Sequence, residues 1–217
     1  MRNYITEMIG TFALVLCGTG AIVIDQQTGG TVTHAGIAIT FGLIVMSMIY
    51  ALGNISGAHL NPAVSIAFSI AGLFSPKKLP GYIIAQVAGA LLASTTLRCL
   101  FPGNELLGTT IPVGPAMRSF VLEVILTFFL MLVILNVASD SKEQGMFAGL
   151  AIGAVVTLEA MFAGPICGAS MNPARSLAPA LVSQHTEHLW LYILAPVAGA
   201  TLAVPTWKYL KGGKEST

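Results

Sequence analysis

The sequence predicts an all-α membrane protein: six transmembrane helices and two re-entrant half-helices, arranged as an inverted repeat. One transmembrane domain covers residues 1–217, with repeat one over about 1–105 and repeat two over about 115–217. Three observations lead there. Hydrophobic residues make up 55% of the chain and charged residues only 9%, whereas a soluble domain carries roughly 25% charged residues. The tripeptide Asn-Pro-Ala occurs twice, at Asn61-Pro62-Ala63 and Asn172-Pro173-Ala174, each time interrupting an apolar stretch. The flanks of the two copies correspond as well, Ser56-Gly57-Ala58-His59-Leu60 against Cys167-Gly168-Ala169-Ser170-Met171.

Six stretches reach the length of about 20 helical residues that a hydrocarbon core of about 30 Å requires. They lie near Tyr4–Ile24, His34–Leu52, Pro80–Leu100, Arg118–Ala138, Met146–Ala163 and His188–Tyr209. The first reads as a span and not as a cleaved leader. Glu7 lies inside it, Arg2 alone precedes it, and no small-residue cleavage site follows. Two further stretches, Pro62–Phe74 and Pro173–Val182, hold 13 and 10 residues. They are too short to span and read as re-entrant half-helices.

The repeat extends beyond the tripeptides. Glu7-x-x-x-Thr11-Phe12 matches Glu123-x-x-x-Thr127-Phe128, and Val87-Ala88-Gly89-Ala90 matches Val197-Ala198-Gly199-Ala200. Each copy has three spans, so the second must enter from the opposite side, and the half-helices meet tip to tip near the midplane. Arg2, Lys77, Lys78, Lys142, Lys208, Lys211 and Lys214 then share one side, seven of the ten basic residues. The positive-inside rule makes that side, and both termini, cytoplasmic.

Composition excludes several classes. The net charge of +1 has no basic tract behind it, so nothing points to nucleic acid. Cys17, Cys99 and Cys167 lack CxxC spacing and read as small buried hydrophobes, not as a disulfide framework or zinc site. No metal cluster, cofactor fingerprint or nucleophile–base pair is legible, so neither metal, cofactor nor enzyme chemistry is expected.

The chemistry lies at the helix breaks. Asn at an N-cap and Pro at the first helical position each suit a helix start, but here both starts fall at membrane depth. Each Asn oxygen can accept from its own first turn, which frees the amide NH₂ for the cavity. Two half-helix N-termini, each equivalent to roughly half a positive charge, then face one point. A neutral molecule with a lone pair is welcome there; a cation is repelled, and a proton wire is broken. Gly57, Ala58 and His59, with Gly168, Ala169 and Ser170, are mostly too small to cover their backbone. Their carbonyls can form a ladder of acceptors, whether or not the glycines also serve a tight turn.

Four charged residues stand within apolar stretches, each a functional candidate by its cost in a membrane. Arg175 lies one helical turn into the second half-helix, where the first half has Val64, and suggests a donor guarding one mouth. Glu7 and Glu123 are repeat mates expected to accept loop N–H groups and fix the carbonyls. Glu159 has no mate; a buried, hydrogen-bonded support role is expected over contact with a solute. His59 is either a static hydrogen-bonding group or a pH sensor at the cytoplasmic vestibule. Cys167, five residues before Asn172, offers a target for mercurials if it faces the lumen.

Taken together, the doubled Asn-Pro-Ala, Arg175, the paired Glu7 and Glu123 and the six-span inverted repeat resemble the aquaporin (major intrinsic protein) family over essentially the whole chain. The resemblance implies a right-handed bundle, a homotetramer with one pore per subunit, and a passive water channel in the lipid bilayer of the cell membrane. It also implies a narrow selectivity filter, which counting from the Asn residues places at Phe41, Ala160, Ala169 and Arg175. The sequence departs from the water-selective pattern at Ala160, where His is usual. It departs from the glycerol branch at Ala169, usually a second aromatic, and at Ser176, usually Asp. The run from Phe162 to Met171 looks most like nodulin-26-like and archaeal aquaporins.

Replacing a ring donor by a methyl group widens the filter and makes it more apolar, unless Met161 or Glu159 refills the gap. The expected function is therefore water conduction with some leak to small neutral solutes, and exclusion of protons and ions. The alternative is a facilitator mainly for glycerol or other small uncharged solutes such as metalloid acids. A coupled transporter also uses broken helices in inverted repeats, but acidic or hydroxyl groups would then be expected at the breaks.

Overall fold

The structure is a computed structural model describing residues 1–139 and 146–212. Lys142 and Lys214, used in the charge reading, lie outside the described residues. Among the described residues eight α-helices follow in order: α1 (Arg2–Gln27), α2 (Thr33–Ser56), α3 (Pro62–Ala71), α4 (Leu79–Leu100), α5 (Ala116–Ser139), α6 (Ala148–Cys167), α7 (Pro173–Ser183) and α8 (Leu189–Gly212), with a short 3₁₀ turn at Pro76–Lys78. Six are long and apolar enough to cross a membrane. The half-helices α3 and α7 have 10 and 11 residues.

Helix ends depart from expectation where local chemistry overrides hydropathy. The first half-helix stops at Ala71, not Phe74, because Gly72 takes φ 82° and its N–H bonds back to the Phe68 and Ser69 carbonyls, a left-handed cap. Helices α2 and α6 run several residues beyond the expected Leu52 and Ala163, to Ser56 and Cys167. Each ends at a glycine in the left-handed region, Gly57 (φ 90°) and Gly168 (φ 83°). The polar Asn54 and Ser56, and Pro165, mark the sequence there as a boundary that the backbone passes through.

Helix pairing shows the repeat. α1 packs along α4 as α5 packs along α8, while α2 and α6 join the two halves. Small residues permit these approaches. A Cβ on Gly89 would lie 2.1 Å from the Met8 carbonyl oxygen, and one on Gly199 would lie 2.2 Å from that of Val124. Gly42 and Gly153 are repeat mates that touch each other. A Cβ on Gly42 would fall 2.5 Å from Gly153 O, and one on Gly153 would fall 2.6 Å from Gly42 O. The pseudo-two-fold axis thus passes between α2 and α6. Gly149 packs on the Tyr50 ring, so it too, like Gly153, serves a contact inside the subunit.

The outer faces are apolar, with Leu43, Ile84, Phe129, Leu158 and Leu194 exposed, while Glu7, Thr11, Gln86, Ser94, Glu123 and Thr127 are buried. This inverts the arrangement of a water-soluble domain and suits hydrocarbon outside and a polar interior. Each half-helix also packs against the last long helix of the other repeat, α3 on α8 and α7 on α4. The two broken segments are therefore clamped between both halves.

Candidate functional site

Asn61 and Asn172 cap the two half-helices. Both have extended backbone, with φ −156° and −148°. Asn61 Oδ1 accepts from Ala63 N at 2.9 Å, and Asn172 Oδ1 accepts from Ala174 N at 3.0 Å and Arg175 N at 3.4 Å. The amide nitrogens are not wholly free, contrary to expectation. Asn61 Nδ2 donates to Met171 O at 2.7 Å, and Asn172 Nδ2 donates to Leu60 O at 2.9 Å. An amide nitrogen carries two N–H groups, so each Asn keeps one for the cavity and uses one to tie the opposite loop.

Both loops that lead into these caps adopt the same irregular path. Gly57, Ala58 and Leu60 have φ of 90°, 46° and 52°, and Gly168, Ala169 and Met171 have 83°, 42° and 53°. Left-handed non-glycine residues cost about 1–3 kcal/mol each and persist only where surroundings over-determine them. The surroundings here are carboxylates. Glu7 accepts from Ser56 Oγ (2.7 Å), His59 N (3.0 Å), Leu60 N (2.7 Å) and Gln86 Nε2 (2.8 Å). Glu123 accepts from Ser170 N (2.7 Å) and Met171 N (2.8 Å).

Supporting residues missed at the sequence level complete the loops. Tyr82 Oη donates to Ser56 O and Tyr192 Oη to Cys167 O, both at 2.7 Å. The two tyrosines share the repeat spacing of the Val-Ala-Gly-Ala runs, the signal that could have found them. Gln86 also donates to Ser65 Oγ at 2.9 Å, and Ser65 lies 3.0 Å from His59 Nδ1. In the second repeat Ser176 takes that place, 2.5 Å from Ser170 Oγ and 2.7 Å from Thr110 Oγ1.

The loops open on a cavity of about 610 Å³ lined by Phe41, Asn61, Val64, Ala160, Asn172 and Arg175, among others. Gly57, Ala58, His59, Ala169 and Ser170 also reach it, whereas Gly168 does not. The carbonyls of these six ladder residues accept no hydrogen bond from the described residues. Pro62, Ala63, Pro173 and Ala174 are buried behind the Asn side chains.

Arg175 is 2% exposed. Its Nη1 donates to Gly108 O at 2.8 Å, its guanidinium carbon lies 5.0 Å from the Phe41 ring centroid, and its Nε has no protein partner. The loop between α4 and α5 thus holds the guanidinium from behind. Phe41 in turn fits against Gly18, where a Cβ would meet the ring at 2.1 Å.

Two expectations require correction. Glu159 is buried, but its Oε2 has no hydrogen-bond partner among the described residues, and it does not line the cavity. Of the three cysteines read as buried hydrophobes, Cys17 and Cys99 are exposed, whereas Cys167 is fully buried as expected, with Sγ 3.5 Å from Ala163 O and away from the lumen, so it presents no sulfur to a mercurial in the pore. Met161 lies 36% exposed, its carbonyl 2.6 Å from His34 Nε2. The space beside Ala160 is therefore filled by neither Met161 nor Glu159. His59 packs its ring against Phe68, Phe74 and Tyr82, with centroids 4.8, 4.8 and 5.1 Å away.

Comparison with known proteins agrees along the whole length. The family model described as Major intrinsic protein matches residues 1–207. Aquaporin NIP1-1 of Zea mays is 48% identical over 96% of this chain and 74% of its own. Nodulin-26 of Glycine max is 44% identical over 96% of this chain and 77% of its own. Among solved structures, that of the aquaglyceroporin from Plasmodium falciparum superposes with a TM-score of 0.85, at 30% identity, over 97% of this chain and 96% of its own.

Proposed function

The chain belongs to the major intrinsic protein family, and on that premise we propose how its cavity works as a passive channel for water and small neutral solutes. Family membership points to a channel and not to an enzyme. One observation carries the reading: Phe41, Ala160, Ala169 and Arg175 line the same cavity as Asn61 and Asn172.

In this reading the midplane is the barrier to charge. The N-termini of α3 and α7 each bring roughly half a positive charge to the axis, and the remaining N–H of each Asn donates to the central water. That water accepts twice, so both its protons point away along the pore and no proton passes through it. The carbonyls of Gly57, Ala58, His59, Ala169 and Ser170 replace part of the hydration shell on either side, on an otherwise apolar wall. The carbonyl of Gly168 stands behind this ladder.

Arg175 is the polar element of a filter whose other walls are Phe41, Ala160 and Ala169. Its positive charge opposes cations, and its guanidinium is the filter's polar donor. With a methyl group at Ala160, the filter holds more space and one donor fewer than a histidine would leave. Water passes, with a leak to small neutral solutes. The second reading, a facilitator mainly for glycerol or other uncharged solutes such as metalloid acids, is favoured by the same three apolar walls.

The protein is a multi-pass membrane protein. We place it in the cell membrane as a homotetramer, with both termini cytoplasmic from the basic residues Arg2, Lys77, Lys78, Lys208 and Lys211 at one end. Stopped-flow light scattering on proteoliposomes tests the function directly. Protein-dependent shrinkage after a sucrose jump establishes water conduction, and re-swelling after a glycerol jump establishes the leak. Shrinkage and re-swelling both no faster than in empty vesicles refute both readings.

A further inference from the structure

Pro165 lies inside α6, close to its end at Cys167. Proline has no N–H, so the donor that an α-helix supplies to the carbonyl four residues earlier is missing. That carbonyl belongs to Met161, the residue after the cavity-lining Ala160. In a regular helix the proline ring also clashes with it, which tilts it away from the axis. A backbone carbonyl left without a donor at membrane depth is costly.

The donor comes from another helix. His34 Nε2, at the start of α2, lies 2.6 Å from Met161 O. A carbonyl oxygen only accepts, so the bond requires the tautomer with the proton on Nε2. Gly164 admits the ring: a Cβ there would lie 2.8 Å from His34 Cε1. Much of the imidazole is exposed, and the edge bearing Cε1 and Nε2 is what meets α6.

Carbonyls beyond the proline are tied to neighbours as well. Ile166 O accepts from Val113 N at 2.9 Å, in the loop whose Gly108 holds Arg175, and Cys167 O accepts from Tyr192 Oη on α8 at 2.7 Å. His34 supplies the tie toward α2. That direction matters to the filter. Phe41 follows His34 by seven residues, two helical turns that bring both within about 20° of one side of α2. One hydrogen bond therefore joins the backbone next to Ala160 to the helix that carries Phe41. The seam between α2 and α6 is closed at the axis by Gly42 and Gly153, and at the filter end by this bond.

We propose that His34 is a positioning residue for the filter. Its Nε2–H replaces the backbone donor that Pro165 takes from α6, and so fixes the spacing between Phe41 and Ala160. Without it the two walls are free to part, and a polyol gains more from the added width than water does. The role in permeation rests on the reading of Phe41, Ala160, Ala169 and Arg175 as the filter; the replacement of one donor by another does not.

A double-mutant cycle in the full chain, reconstituted in proteoliposomes, tests this. His34→Phe keeps a planar ring and loses the donor. It should raise the glycerol-to-water permeability ratio about threefold, ~0.65 kcal/mol between the two barriers. His34→Gln, which keeps an N–H at similar reach, should hold the ratio within about 1.5-fold of the wild type. Pro165→Ala gives α6 its own donor back, so adding His34→Phe to it should change the ratio by less than about 1.5-fold. Thermal unfolding of the same proteins in detergent should follow the same pattern, with His34→Phe lowering the midpoint only where Pro165 is present. An equal effect of His34→Phe with and without Pro165→Ala overturns the proposal. So does an unchanged ratio in His34→Phe, or a raised ratio in His34→Gln protein that remains monodisperse. A wild type that conducts no faster than empty vesicles refutes the channel reading and the filter role with it, while the coupling in unfolding still decides whether His34 stands in for the missing donor.

Discussion

Asn61 and Asn172 are bound into each other's loop: Asn61 Nδ2 donates to the carbonyl just before Asn172, and Asn172 Nδ2 donates to the carbonyl just before Asn61, at 2.7 and 2.9 Å. The two half-helix tips therefore form one hydrogen-bonded unit across the pseudo-two-fold axis. Each Asn caps its own helix with the oxygen and fixes its mate with the nitrogen, so a single amide sets both the position of a helix dipole and the spacing between the two.

Substituting Asn61→Asp separates these roles. The carboxylate still accepts from Ala63 N, but it has no N–H for Met171 O and none for the central water. It also sets a negative charge against the positive ends of α3 and α7. Water permeability is expected to fall about tenfold, the loss of ~1.4 kcal/mol at the barrier, and a sodium leak should appear in vesicles loaded with a sodium-sensitive dye. Unchanged water flux with no leak would show that the dipoles alone form the barrier.

The two loop carboxylates should differ in what they contribute to stability. Glu7 holds four donors and Glu123 two. Removing the acceptor leaves buried donors unmet, at about 1–3 kcal/mol for each group. Glu7→Ala is thus expected to lower the unfolding temperature in detergent more than Glu123→Ala. Equal shifts would mean that the side-chain donors Ser56 and Gln86 rearrange without cost.

Close approach of backbones predicts where small size is obligatory. A Cβ at Gly42 would lie 1.8 Å from Thr157 Oγ1 and 2.5 Å from Gly153 O, while one at Gly53 on the same helix meets nothing within 4 Å. Gly42→Ala should destabilise by about 1–3 kcal/mol through overpacking. Gly53→Ala should be neutral or mildly stabilising by helix propensity. Thermal unfolding and the yield of monodisperse protein on size exclusion read the contrast. A well-behaved Gly42→Ala would place the axis contact elsewhere.

Much of this was legible before any coordinates, and the limits have physical causes. Asn61, Pro62, Asn172 and Pro173 declare helix starts through local cap chemistry, and their depth follows from the apolar flanks. Glu7 and Glu123 declare themselves because a carboxylate inside a span needs donors, and the repeat supplies equivalent ones. The reciprocal amide bonds were not legible, since they join residues 110 and 112 positions apart. Two readings failed for another reason: Cys17 and Cys99, read as buried, are exposed, and Glu159, read as hydrogen-bonded, is buried but leaves Oε2 without a partner among the described residues. Residue type and position along a span do not say which groups of a neighbouring helix face a side chain.

Restoring the missing donor at the filter is the sharpest test of how solutes are selected. Ala160 lines the cavity with Phe41, Ala169 and Arg175, and neither Met161 nor Glu159 fills the space beside it. An imidazole placed there adds bulk and a hydrogen-bonding nitrogen opposite the Arg175 guanidinium. A water molecule can trade bonds between the two, whereas a polyol must fit its carbon backbone through what remains. Ala160→His should therefore lower glycerol permeability by about tenfold, a rise of ~1.4 kcal/mol in its barrier, and leave water permeability within about twofold. Phe41→Ala acts in the opposite sense, removing the ring on which Arg175 rests at 5.0 Å, and should raise glycerol passage. If Ala160→His reduces both permeabilities in proportion, the narrowest point lies elsewhere along the pore and Ala160 does not set the choice of solute. The ratio of the two rates, taken in the same vesicles, decides between these outcomes without knowing how many channels are active.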